Sequence, residues 1–306
     1  MDIRVLQYFV TIAREGNFSA AAEKLHMTQP PLSRMIKDLE DELGKKLLIR
    51  GNRKITLTDE GIILRKRAEE MIEFMEKTKS EISSLNKDIS GDIYIGGAET
   101  DGIRFIAKII KKLCTEYPNI HYHFFSGHAE EITDKLDNGL FDFGIFIEPA
   151  DMRNYDFIKL PVTDVWGLLM RKDDPLAEKE TIKPSDLKKL PLIISNQAMV
   201  ENEISGWSGK RYNKLNIIAT YNLLYNAALM AEENIGYVVC IDKIAKTNQY
   251  DILCFRPFEP ELRVGINIGW KKHQIFSKAA EKFISSLQQY ITENKQDSKN
   301  LTDNTL

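Results

Sequence analysis

The feature that most constrains this chain is the order of residues in 18–43, FSAAAEKLHMTQPPLSRMIKDLEDEL, where two helix patterns are separated only by a tight turn. Ser19 reads as the N-cap of a short helix that buries Ala21, Ala22 and Leu25. His26-Met27 turns the chain, and Thr28 precedes Gln29-Pro30-Pro31. Proline is tolerated there because first-turn amides have no intrahelical partner. Leu32, Met35, Ile36, Leu39 and Leu43 then recur at helical spacing until Gly44 ends the run. Upstream, Ile3, Leu6, Phe9, Val10 and Ala13 mark a first helix that Gly16-Asn17 stops. Three short helices with a tight second turn make a helix-turn-helix.

Next comes KKLLIRGNRKITLT, two β-like runs about a tip at Gly51-Asn52, which reads as a wing. Thr58 caps a long helix expected to reach about Leu85. Within it Leu64, Ala68, Met71, Met75, Thr78, Ile82 and Leu85 alternate spacings of four and three, the pattern of a coiled-coil seam. The head is too short to cover that length, so Leu64, Met71, Met75, Ile82 and Leu85 are assigned to self-association. The alternative is a single amphipathic helix packed on its own domain.

Charge agrees with a nucleic-acid-binding head. Residues 1–67 hold 13 Lys+Arg and 9 Asp+Glu, a balance of +4, whereas the remainder of a chain of net charge −3 carries −7. With 306 residues, 43% of them hydrophobic, the chain is long enough for about two domains and too apolar for wholesale disorder. The first twenty residues lack a secretory pattern, and apolar runs such as 235–241 fall far short of the ~20 residues that span a bilayer. Cys114, Cys240 and Cys254 are odd in number and far apart, which suggests neither a disulfide framework nor a zinc site. A soluble cytoplasmic protein with no cofactor and no membrane partner is expected.

From Gly91 the texture changes to apolar runs at 92–97, 120–126, 141–147, 164–171, 192–195, 216–219, 236–241 and 263–270. Helix patterns at 103–116, 129–138, 184–190, 222–233 and 276–290 separate many of them. This alternation predicts an α/β body of two small lobes with largely parallel sheets. The expected domains are a winged helix-turn-helix at 1–58, a linker helix at 59–88, an α/β body at 89–290 and a disordered polar tail at 291–306.

Residues 18–43, followed by Gly44, Leu47-Leu48, Arg50, Arg53 and Leu57-Thr58-Asp59-Glu60-Gly61, resemble the LysR-type transcriptional regulators. The likeness continues more loosely through Gly91–Gly96, Tyr117–Ile120 and Gly139–Ile145, to about residue 290. It implies a winged helix, a dimerising linker helix, and a two-lobed effector domain like that of periplasmic binding proteins. It also implies a homodimer, commonly assembled into a tetramer, which binds promoter DNA and a small-molecule effector, with RNA polymerase as a further candidate partner. Two departures stand out. Leu48 replaces a frequent aromatic, and Asn234-Ile235-Gly236-Tyr237 keeps one of two usual glycines.

The third helix leaves Gln29, Ser33, Arg34 and Lys37 on its polar face. Gln29 suits adenine, Arg34 suits guanine, and Ser33 and Lys37 suit phosphate or mixed contacts. Pro30 and Pro31 offer an apolar surface for a thymine methyl. On the wing, Arg50, Arg53 and Lys54 suit the phosphate backbone or the minor groove.

In α/β sheets ligands sit at strand ends, here Ala98–Asp101, Ser126–His128, Glu148, Ser195–Gln197 and Thr220–Asn222. The candidates are Thr100, His128, Glu148, Ser195 and Thr220. Of these Thr100, Ser195 and Thr220 resemble effector-binding positions of the family, and each is alternatively an ordinary N-cap. If Glu99, Asp101 and Glu148 face the cleft, they oppose a simple anion and favour a ligand with an amino group.

His121, His123 and His128 read as surface histidines rather than a metal site, and Cys240 and Cys254 as buried thiols. Gly96-Gly97 with Gly102 lacks dinucleotide spacing, and no hydrolase, metalloprotease or P-loop motif is present. Two other classes stay open: a chromosome-organising DNA binder whose body only oligomerises, and an enzyme or solute-binding module with an accessory winged helix. The first would require a cleft filled by large side chains.

Overall fold

The computed structural model describes residues 1–51, 54–83, 89–196, 198–209, 215–245, 247–248 and 251–303. It divides into two compact units, Met1–Leu85 and Asn86–Leu306.

The first unit contains α1 (Ile3–Glu15), α2 (Phe18–Lys24), α3 (Gln29–Leu43), the antiparallel wing of β1 (Leu48–Arg50) and β2 (Ile55–Leu57), and α4 (Asp59–Ser83). Leu6, Phe9, Ile12, Ala21, Leu32 and Ile36 are buried together in its core. The cap of α2 is Asn17 and not Ser19, because the Asn17 side chain accepts from the Ser19 and Ala20 amides. Thr28 holds the N-cap position of α3 without a side-chain bond. A capping oxygen needs the N2 or N3 amide, and Pro30 and Pro31 occupy both. His26, in the turn between α2 and α3, takes a left-handed φ of 54°.

Thr58 locks the wing to α4. Its hydroxyl accepts from the Gly61 amide at 3.0 Å and donates to the Lys46 carbonyl at 2.7 Å. A Cβ on Gly61 would stand 2.1 Å from the Leu47 carbonyl oxygen, so only glycine lets α4 come this close to the wing.

The expected seam on α4 divides between two faces. Ala68 is fully buried, and Leu64 and Ile72 pack beside it against the unit's own core, since α1 crosses the first half of the helix. Met71 and Ile82 are exposed, together with Ile63 and Phe74, which the heptad count omits. Met75 is half-buried, and Leu85 lies outside the described residues.

The second unit is built on a mixed sheet. Its first lobe pairs β4 (Ile120–Ser126), β3 (Gly91–Gly97) and β5 (Phe143–Ile147) in parallel. Helices α5 (Ile103–Glu116), α6 (Ala129–Asp137) and α9 (Lys278–Asp303) belong to the same lobe. The second lobe pairs β8 (Asn216–Tyr221), β7 (Pro191–Ser195) and β9 (Tyr237–Ile241) in parallel, with α7 (Ala198–Trp207) and α8 (Leu224–Glu232).

Two antiparallel strands join the lobes, so the sheet is less parallel than expected. β6 (Tyr155–Arg171) pairs with β11 (Arg263–Lys271) in its first part and with β9 and β10 (Leu253–Pro257) in its last. Separate cores form around Ile93, Phe143 and Phe283 in one lobe and around Leu168, Ile194 and Phe258 in the other.

Two further expectations need correction. Residues 184–190 form turns rather than a helix, with Lys189 at a left-handed φ of 68° just before Pro191. Helix α9 runs through 291 to Asp303, where a disordered tail was expected, and 291–303 has no glycine or proline to stop it. Asn234 adopts φ 59°, so the missing glycine is absorbed by a residue that tolerates the left-handed region.

Gly61→Ala should destabilise the first unit by about 1–3 kcal/mol, the usual cost of overpacking. Gly44→Ala meets open space and is strained only by its φ of 64°, so it should cost less. Urea unfolding compares the two, and equal losses would refute the close approach.

Candidate functional site

On α3 the buried side is formed by Leu32, Ile36 and Leu39, each at most 2% exposed. At 100° per residue, Gln29, Ser33, Lys37, Pro30 and Arg34 follow one another around the opposite arc. Gln29, Pro30, Arg34 and Lys37 are exposed and Ser33 is half-buried, which leaves an amide, a hydroxyl and two cations on the N-terminal half of the helix. Lys54 is exposed on the wing, while Arg53 and Asn52 lie outside the described residues.

The residue that sets the wing beside α3 is one the motif reading missed. Glu40 is 5% exposed, and its Oε1 accepts from the amides of Leu47 and Leu48 at 2.9 and 3.2 Å. Its Oε2 accepts from Lys46 Nζ at 2.7 Å. Burial alone would raise this carboxyl's pKa, but Lys46 and the two amides outweigh it and hold it below the usual carboxylate value. Glu40 stands among three other acids, Asp38, Asp41 and Glu42, and nothing in the sequence distinguishes it except its place on the apolar face one residue after Leu39.

In the second unit a cavity of about 320 Å³ opens between the lobes. Glu148 and Ser195, both expected, line it with Ala98, Glu99, Trp166 and Ile241. Lys159 Nζ donates to both oxygens of Glu148 at 2.8 and 2.9 Å and, with Asn267, holds this carboxyl below its ordinary pKa. Glu99 reaches from the first lobe to the second, where it accepts from the Leu224 amide at the start of α8 at 3.2 Å.

The other candidates fall elsewhere. Thr100 is buried, donates to Asp164 Oδ2 at 2.5 Å and accepts from the Gly102 amide at 3.0 Å. It lines a neighbouring hollow of about 480 Å³ with Asp101, which pairs with Arg104. Thr220 is exposed on β8, and His128 is the N-cap of α6 with its Nδ1 buried and unpartnered among the described residues. Neither lines the cavity.

Trp166 and Ile241 were missed because they come from the crossing strand and its partner rather than from loop ends. Among the described residues no cluster is suited to a metal ion, and His123 binds Asp92 and stacks on Tyr94. Cys240 and Cys254 are buried, and burial pushes both thiols up.

A winged helix-turn-helix followed by a two-lobed α/β body with a cavity between its lobes defines a DNA-binding regulator with a ligand-binding domain. Residues 3–62 match the family described as bacterial regulatory helix-turn-helix protein, lysR family, and residues 86–292 match the LysR substrate binding domain. The chain belongs to the LysR family of transcriptional regulators.

It is 33% identical over 198 residues to the HTH-type transcriptional regulator BsdA of Bacillus subtilis, a stretch covering 63% of this chain and 67% of that protein. It is 28% identical over 284 residues to the HTH-type regulator YybE of the same species, covering 92% and 97% of the two chains. The fold is similar to that of CbnR, a LysR family transcriptional regulator, with a TM-score of 0.76 at 18% identity over 95% of this chain and 99% of that one. The crystal structure of CbnR with its target DNA gives a TM-score of 0.73, over 94% and 99% of the two chains. Among the described residues no helix is long and apolar enough to cross a membrane.

Because the Glu40 carboxyl is held low in the folded head, its contribution is present above the unfolded carboxylate pKa of about 4.3 and is lost as pH falls through the folded value. The first unit should therefore lose stability on acidification, and Glu40→Gln should flatten that dependence while costing about 1–3 kcal/mol at neutral pH. Unfolding curves from pH 7 to 3 check this, and a slope unchanged in the variant would contradict it.

Proposed function

We propose that the exposed arc of α3 reads base edges in the major groove, that the wing lysine holds the DNA backbone, and that a small-molecule effector in the interlobe cavity controls this binding. The observation that carries the effector half is the open cavity. A body that served only to oligomerise would have large side chains filling the space between Ala98, Ser195 and Ile241, and about 320 Å³ is open there. That volume falls at the small end of the usual ligand range of about 300–1,000 Å³. DNA is read by Gln29, Ser33 and Arg34, with Pro30 against a thymine methyl and Lys37 at a phosphate. The family relationship and the DNA complex of CbnR support this reading.

The functional unit is a homodimer formed through α4. Ile63, Met71, Phe74 and Ile82 are 65, 43, 49 and 64% exposed, an apolar strip that a second copy covers. The reading extends to tetramers and to contact with RNA polymerase from the DNA-bound state, and membership of the family supports both. Met71→Glu with Phe74→Glu should give monomers by light scattering and weaken binding to a two-half-site operator. An unchanged mass would exclude this interface.

Selecting an operator from a random-sequence pool with the full chain tests the readout. Arg34→Ala should cost about 1–3 kcal/mol and relax one position in each half-site. Lys54→Ala should weaken all sequences alike and lower the salt slope by about one unit. Equal losses on selected and random DNA for both variants would contradict the assignment.

A further inference from the structure

The interlobe cavity has a one-sided charge. Glu99, Glu130, Glu148, Asp151 and Glu203 all line it, and its lining contains no lysine, arginine or histidine among the described residues. Two of the five acids have cations of their own, Lys159 at 2.8 Å from Glu148 and the exposed Arg153 at 2.6 Å from Asp151. Glu130 and Glu203 have no ion pair among the described residues. Among the described residues Glu99 bonds the Leu224 amide, so the N-terminus of α8, the feature an anionic ligand would use, is already held by a carboxylate of the protein.

The remaining wall is apolar and aromatic, with Ile147, Pro149, Leu223, Ile241 and Trp166. Trp166 is 6% exposed, and its indole N–H is buried with no hydrogen-bond partner among the described residues. Tyr221, also in the wall, is kept neutral because burial raises its phenol pKa and its hydroxyl donates to the Val239 carbonyl at 2.8 Å.

We infer that the effector is a small organic cation, an ammonium with an apolar body, which places its charge among Glu99, Glu203 and Glu130 and its apolar body against Trp166, Leu223 and Ile241. The aromatic wall suits the same ligand, because ring faces attract cations. A carboxylate ligand would meet repulsion from these acids and would find no cation in the lining among the described residues.

This inference rests on the interlobe cavity being the effector site. Titration calorimetry of the full chain at neutral pH with three near-isosteric probes tests it: cationic phenylalaninol, anionic 3-phenyllactate and neutral 3-phenyl-1,2-propanediol. Phenylalaninol should bind at least ten-fold more tightly than 3-phenyllactate. Glu203→Gln should weaken it about ten-fold, equivalent to ~1.4 kcal/mol, and should leave thermal unfolding unchanged because Glu203 holds no other group among the described residues. Trp166→Phe should weaken it as well. Binding of 3-phenyllactate as tight as that of phenylalaninol, with the same sensitivity to Trp166→Phe, would overturn the charge preference and leave the cavity as the effector site. Binding of none of the three would overturn the inference, and the effector reading would then be judged on a cavity-filled variant.

Discussion

The second unit depends on how β6 passes from one lobe to the other. At the crossing, Asp164 is 2% exposed and accepts from the Thr100 hydroxyl of the first lobe. Its neighbour Val165 donates its amide to Asp242 Oδ1 of the second lobe at 2.8 Å, and Lys243 lies 2.9 Å from Asp242 and 3.8 Å from Asp164. Burial raises the Asp164 pKa, and the Thr100 hydrogen bond and Lys243 oppose that rise. A carboxylate at this depth persists only because each lobe supplies a partner. The same bonds fix the base of the cleft, beside which Trp166 and Ile241 form the cavity wall.

The head was legible in the sequence because its helices are short, amphipathic and bounded by capping residues. What escaped was tertiary. Thr28 stands where a cap belongs, but the prolines that mark the start of α3 remove the amides it would bind. The heptad count on α4 ran through Leu64 and Ala68, and α1 already covers those positions. In the body, runs buried on both faces such as β5 and β9 were visible as apolar stretches. The first half of β6, YDFIKLPVT, mixes exposed and buried positions and contains a proline, so it gave no strand signal. β10 is only five residues long, and α7 lacks a clear apolar periodicity.

The candidate site was legible to the extent that it follows strand ends. Glu148 follows β5, Ser195 ends β7, and both line the cavity, as the strand-end rule predicts. Thr100 obeys the same rule in sequence, but its hydroxyl is engaged by Asp164, a residue 64 positions away. Which hydroxyl binds a ligand and which holds the hinge is decided by such a distant partner. The acidity of the cavity was open at the sequence level for the same reason: Glu99 and Glu148 line it, whereas Asp101 turns to Arg104 in the neighbouring hollow.

In the proposed function the space between the lobes is the input and the α3 face the output. Filling that space is the most direct test. Ala98→Trp puts an indole where Ala98 borders the cavity. Operator affinity of the purified variant and expression from a reporter driven by the same operator should then separate. The expected result is wild-type DNA binding with a reporter output that no longer changes across growth conditions to which the wild type responds. A variant whose reporter still follows those conditions would contradict it.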